Sequence, residues 1–335
     1  MKMPFHAFLT VSCVLLALLT ALSLAIGAVD LALTQVLTAL VGQGDDSTVF
    51  ILQELRVPRT LLSMFIGGIL GLCGAVLQGL FRNPLADPAI IGVSAGAALG
   101  AAIAIVLLPQ GILLWNGISP ISLFAFFGGL GATLFVYHIG RSSSGTRMTL
   151  VLLSGIAIGS LAFAFLGILQ FVADDRALRE LSMWQLGSLA QGNQSAVLLC
   201  GSAFGLLFWR FKRQTNALNA LLLGDLEAKH LGIQVDKIKY RCIYLTALGI
   251  GIAVSVSGMI GFIGLIVPHI CRTLLGPNHK TLLPASALVG AMLLLSADIL
   301  ARKLAAPAEI PIGILTALLG SPFFIVLLIR NKGKL

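Results

Sequence analysis

Leu221-Leu-Leu-Gly-Asp-Leu-Glu-Ala-Lys-His-Leu-Gly-Ile233 lies in the long polar break, Arg210 to Tyr240, of a chain that is otherwise nearly all apolar. Its spacing predicts a short amphipathic helix in which Leu222, Leu223, Leu226 and Ile233 share one side while Asp225, Glu227, Lys229 and His230 face water. Gly232 supplies the stop. Such a helix is either a solvated loop element or a docking element for a partner, and its surroundings decide between the two.

Those surroundings are membrane. With 58% hydrophobic and 10% charged residues, a mean hydropathy of +1.00 and 37 glycines among 335 residues, the composition is that of a polytopic membrane protein. At roughly 20 apolar residues per crossing there is room for about ten spans and none for a large soluble domain. A single transmembrane domain over residues 1–335 is therefore expected, with a polar segment at about 214–240. In a soluble protein a net charge of +9 would suggest nucleic acid; in a chain whose composition makes the lipid bilayer its partner, the distribution of that charge matters more than its total. Cys13, Cys73, Cys200, Cys242 and Cys271 lie in or beside apolar runs without paired spacing and read as small core residues.

The expected spans are Phe5 to Val29, Thr60 to Leu80, Ala89 to Leu108, Ile118 to Ile139, Met148 to Val172, Ser195 to Trp209, Cys242 to Ser257, Met259 to Leu275, Leu283 to Ala301 and Ile312 to Ile329. The run from Phe5 exceeds a signal-peptide core, so it reads as a retained helix. Glycines at 67, 68, 71 and 74 allow close helix contact in the second span. Gly258 and Pro268 suggest an interrupted helix around the eighth. Asp174 to Trp184 reads as an amphipathic connection.

Ten spans put both termini on one side, and the loops on that side hold 16 of the 22 Lys and Arg residues, among them Lys2, Arg147, Lys229, Lys239, Lys332 and Lys334. The opposite loops hold Arg56, Arg59, Arg176, Arg179, Arg302 and Lys303, together with acids that include Asp298 and Glu309. The positive-inside rule then makes both termini and the polar break cytoplasmic.

There is no Gly-x-x-x-x-Gly-Lys-Ser/Thr phosphate loop, so the chain is not expected to hydrolyse nucleotide itself. No acid stands near the middle of an expected span, which argues against an ion-coupled secondary carrier. The spans hold no polar catalytic set, and the five histidines share no ligand spacing, so neither an enzyme nor a metal site is expected.

Arg56-Val-Pro-Arg-Thr60, Phe81-Arg-Asn-Pro-Leu-Ala-Asp-Pro88, Leu178-Arg-Glu-Leu-Ser-Met-Trp-Gln-Leu-Gly187, Leu223-Gly-Asp-Leu-Glu-Ala-Lys-His-Leu-Gly232 and Glu309-Ile-Pro-Ile-Gly313 together resemble the FecCD-type permeases. These are membrane subunits of type II ABC importers for haem, ferric siderophores or cobalamin. The resemblance spans about residues 50 to 330. It implies an all-α permease fold in the bacterial inner membrane, a second copy of the chain and a periplasmic substrate-binding protein. It also implies two separate ATPase subunits, which carry the ATP and Mg; no cofactor is implied in this chain.

Residue by residue, the resemblance implies ATPase coupling through Gly224, Asp225, Glu227, Ala228, Leu231 and Gly232, and binding-protein docking through Arg56, Arg59 and Arg302. An i, i+4 pair with Asp298 is the alternative for Arg302. The cytoplasmic gate falls at Met148 and Thr149. Arg176, with Arg179, Met183 and Trp184, suits a pathway for an anionic metal chelate: arginine for propionate-like groups, Met and Trp for a porphyrin face. Pairing of Arg176 with Asp174, Asp175 or Glu180 is the alternative. Haem is the first expected cargo, ahead of ferric siderophore and cobalamin.

Overall fold

The computed structural model describes residues 3–27, 29–109, 119–142 and 145–331. Lys2, Ile118, Lys332 and Lys334, used in the topology argument, lie outside the described residues. The described chain is all α apart from one antiparallel pairing of Arg141–Ser142 with Gly145–Thr146.

Seven helices are long and apolar enough to cross a membrane, and three shorter apolar ones, 93–107, 263–275 and 312–327, fall in the three remaining expected spans. In chain order the helices are α1 (Phe5–Ala25), α2 (Leu33–Leu40), α3 (Asp46–Phe50), α4 (Val57–Leu80), α5 (Val93–Leu107), α6 (Pro120–Gly140), α7 (Met148–Val172) and α8 (Asp175–Leu186). They continue with α9 (Gln194–Lys212), α10 (Thr215–Leu223), α11 (Asp225–His230), α12 (Val235–Ser257), α13 (Ile263–Leu275), α14 (His279–Leu304) and α15 (Ile312–Asn331).

Helix α4 is the axis of the bundle, with 83% of its apolar stretch buried against 28% for α7. It packs most extensively on α14 and also meets α9, α12 and α13. Apolar lipid supplies no hydrophobic drive between helices, so close packing must hold them together, and small residues permit it. At Gly67 and Gly290 the two backbones touch: a Cβ on either would strike the other's carbonyl oxygen.

Helix boundaries differ from the sequence expectation where charge was read as loop. The second span begins well before Thr60, because Asp46–Leu80 is continuous through a π-helical stretch at Ile51–Arg56. The wider π turn accommodates Pro58, which has no N–H to give to the ladder. Helix α12 begins at Val235, so Lys237, Lys239 and Arg241 are helical, and α14 runs on past Ala301 through Arg302 and Lys303. The expected interruption at the eighth span is present: the chain leaves α12 at Gly258 and resumes helix only at Ile263, while Pro268 sits within α13. Of the five free cysteines four are buried; Cys13 is exposed on α1.

Candidate functional site

The polar break folds as α10 and α11, joined at Gly224 with φ 135°. That left-handed backbone, and a Cβ that would run into the Glu227 carboxylate, make glycine the residue that fits there. Ala228 is the buried anchor of α11, and Ile233 packs on the main core. The leucine face does not turn inward as a single stripe. Leu223, Leu226 and Leu231 are 66%, 68% and 62% exposed, and Glu227, Lys229, His230 and Gly232 are exposed beside them. Asp225 is the exception among the acids, drawn inward to Lys239, whose Nζ lies 2.5 Å from its Oδ2.

At the opposite end of α4, the three arginines expected at the docking face are engaged within the chain. Arg56 Nη1 donates to the carbonyls of Leu24 at 2.7 Å and Ala25 at 2.9 Å, and its Nη2 donates to Val29. Arg302 donates to the carbonyls of Ser23 and Ile26 at 3.1 and 2.9 Å, and to Ser23 Oγ at 2.8 Å. Both side chains are 6% exposed. Together they cap the C-terminus of α1, where helix geometry leaves the last carbonyls without partners and the dipole favours positive charge. Arg56 and Arg302, expected with Arg59 at the docking face, thus act within the single chain as caps of α1.

Arg302 also makes the i, i+4 contact, with Nε 3.1 Å from Asp298 Oδ2. Asp298 is wholly buried and shared, since its Oδ1 accepts from Arg59 Nε at 2.9 Å. Arg59 Nη1 in turn reaches both oxygens of Glu309, at 2.8 and 2.9 Å. Lys303 Nζ, 2.7 Å from Asp30 Oδ2, and the Gly27 N–H together hold the Asp30 carboxyl below the usual carboxylate range.

Beside Arg59 opens a cavity of about 400 Å³ whose lining includes Glu180, Met183, Trp184, Gln191 and Glu309. The structure thus brings Arg59, Met183 and Trp184 together, but Arg176 and Arg179 do not line this space. Those two stand exposed on α8, which Asp174 caps by accepting from Ala177 N–H at 2.7 Å. Among the described residues neither arginine has an ion pair, so the alternative pairing of Arg176 with Asp174, Asp175 or Glu180 is not seen. Met148 and Thr149 open α7; Met148 packs on the main core and Thr149 is exposed. No group of three His, Cys, Asp or Glu among the described residues is placed to hold a metal.

The model of the FecCD transport family matches residues 15–330. This chain belongs to that family. It is 44% identical over 288 residues to the hemin transport system permease protein HmuU of Yersinia pestis, covering 83% of each chain. To the cobalamin import system permease protein BtuC of Halobacterium salinarum it is 41% identical over 284 residues, covering 83% of this chain and 73% of the relative. A solved inward-facing structure of a metal-chelate type ABC transporter superposes with a TM-score of 0.85 at 35% identity, over 96% of this chain and 98% of that one. The FecCD-family chain is accordingly a multi-pass permease subunit of an ABC importer, with the permease fold expected from its sequence; it is not an enzyme, and ATP hydrolysis belongs to a separate subunit.

Sequence reading paired Asp298 only with Arg302 and missed Asp298 and Glu309 as partners of Arg59. Those two pairs join residues far apart in sequence, so no local spacing signals them. It also counted Lys239 as one more cytoplasmic charge. That lysine is 2% exposed, and its position inside a helix with apolar neighbours at Ile238, Cys242 and Ile243 marks it as unusual.

Proposed function

We propose that the chain, as a pair of identical copies in the bacterial inner membrane, moves haem from the periplasm to the cytoplasm, driven by two ATPase subunits and fed by a periplasmic binding protein. The observation that carries the cargo assignment is α8, which presents Arg176 and Arg179 unpaired and Met183 exposed on one helix beside the half-buried Trp184. Unpaired guanidinium groups suit carboxylates, and a thioether with an indole suits a flat apolar ring. The likeness to a hemin permease supports the same cargo.

Gly224, Asp225, Glu227, Ala228, Leu231 and Gly232 form the ATPase-coupling element, because Leu226 of α11 and the flanking Leu223 and Leu231 are exposed and ringed by charges, the form of a helix that seats in a partner's groove. Docking of the binding protein centres on Arg59, which reaches the cavity, and Met148 with Thr149 forms the cytoplasmic gate. The likeness to a cobalamin permease favours a second cargo.

ATP-dependent uptake into proteoliposomes holding this chain, its ATPase and its binding protein, with haem, a ferric siderophore and cobalamin compared, tests the assignment. Uptake of haem alone is expected. Uptake of another chelate discards the propionate argument, and uptake indifferent to ATP overturns the importer reading.

A further inference from the structure

Asp236 and Lys239 stand one turn apart on α12 and hold a single residue, Thr146, by both ends of its backbone. Asp236 Oδ1 accepts from Thr146 N–H at 2.8 Å, and Lys239 Nζ donates to the Thr146 carbonyl at 3.1 Å. Tyr137 on α6 adds a contact between its hydroxyl and Thr146 Oγ1 at 3.2 Å. The same Lys239 ammonium reaches Asp225, the first residue of α11, and Arg82 lies 3.8 Å from the other oxygen of that carboxylate. Lys239 therefore joins two elements that are far apart in sequence: α11, and the turn that leads two residues later into Met148 at the start of α7.

A buried ammonium is tolerated only while it is paired, and here its partners are divided between the two elements. If α11 moves without the turn, or the turn without α11, the charge is left with half its partners. The lowest-energy response to displacement of α11 is for Thr146 to follow.

We propose that Lys239 is the positioning residue that transmits displacement of α11 to the start of α7, so that the Asp225–Lys239–Thr146 joint couples the docking segment to the gate. This rests on the reading of α11 as the ATPase-docking element and of Met148 as gate. It assigns to Lys239 neither contact with cargo nor contact with the ATPase.

The test uses the intact importer in proteoliposomes, carrying K239M. Co-purification of the ATPase and its hydrolysis rate should stay within about twofold, while cargo moved per ATP falls about tenfold. As a second readout, L150C in a C13S background should be labelled by a membrane-impermeant maleimide to an extent that changes with nucleotide; K239M should abolish that change while leaving labelling itself intact. K239R, which keeps the charge, should recover part of the coupling. Should K239M not accumulate, K239Q keeps a donor for Thr146 but cuts the ionic bond, and the same uncoupling is expected of it. Normal transport per ATP, or normal nucleotide-dependent labelling, in either neutral variant overturns the proposal. Failure of the unmodified chain to hold the ATPase strikes the docking reading instead.

Discussion

Asp298 decides how the Arg59 end of α4 is built. Its carboxylate lies without solvent exposure between Arg59 and Arg302, the first of which continues to Glu309 and the second to the end of α1. Removing one member of a buried charge cluster leaves the others desolvated and unpaired, which costs about 3–5 kcal/mol. Asp298→Ala should therefore lower the melting temperature in detergent markedly, whereas Glu309→Ala, at an exposed carboxylate, should change it little. Equal shifts for both would show that burial does not rank these pairs. The sequence held the Asp298–Arg302 spacing but could not show the carbonyls of Ser23, Leu24 and Ala25 as partners, since capping groups of α1 arrive from α14 and from the start of α4. Outward-facing arginine in a loop and inward-facing arginine at a helix end look alike in one dimension.

At the scale of elements, apolar runs were legible because the bilayer demands length and hydrophobicity from each crossing, and all ten expected segments hold an apolar helix. Boundaries were less legible wherever charge continues a helix, as at Lys239 and Arg302. The glycines of the second span did carry their meaning. Gly67 and Gly290 set the approach of α4 to α14, so Gly290→Val should force the two axes apart and cost about 1–3 kcal/mol or more in overpacking. A melting temperature unchanged by that substitution would remove close backbone contact as the basis of the bundle axis. Helix α11 was legible as amphipathic, but Leu226 and the flanking Leu223 and Leu231 are exposed where the sequence suggested a shared packing side, which is the surface the proposed docking uses. Glu227→Arg reverses a charge on this exposed face without touching the buried Ala228 anchor. The variant should fold normally and lose co-purification of the ATPase; normal co-purification would refute docking through α11.

At the scale of the whole molecule, the proposed pairing of two copies draws on the surface that one chain leaves open. Helix α7 exposes Leu153, Ile156, Phe163 and Ile168, and lipid alone could cover them, yet the neighbouring α8 presents Arg176 and Arg179 without ion-pair partners. In the proposed pair, a two-fold axis would bring two such helices to one mouth, where Arg176 of each copy would face a dianionic chelate. A charge-assisted hydrogen bond contributes about 1.5–3 kcal/mol, so Arg176→Ala should slow haem uptake by about tenfold or more. Assembly should be untouched, because in this structure the side chain holds nothing in place. The loss should shrink as salt screens the attraction, and it should be absent for a cargo without carboxylates. Unchanged haem uptake in an importer that still assembles would place the anion-recognising groups elsewhere, with Arg59 in the outer cavity the next residue to substitute.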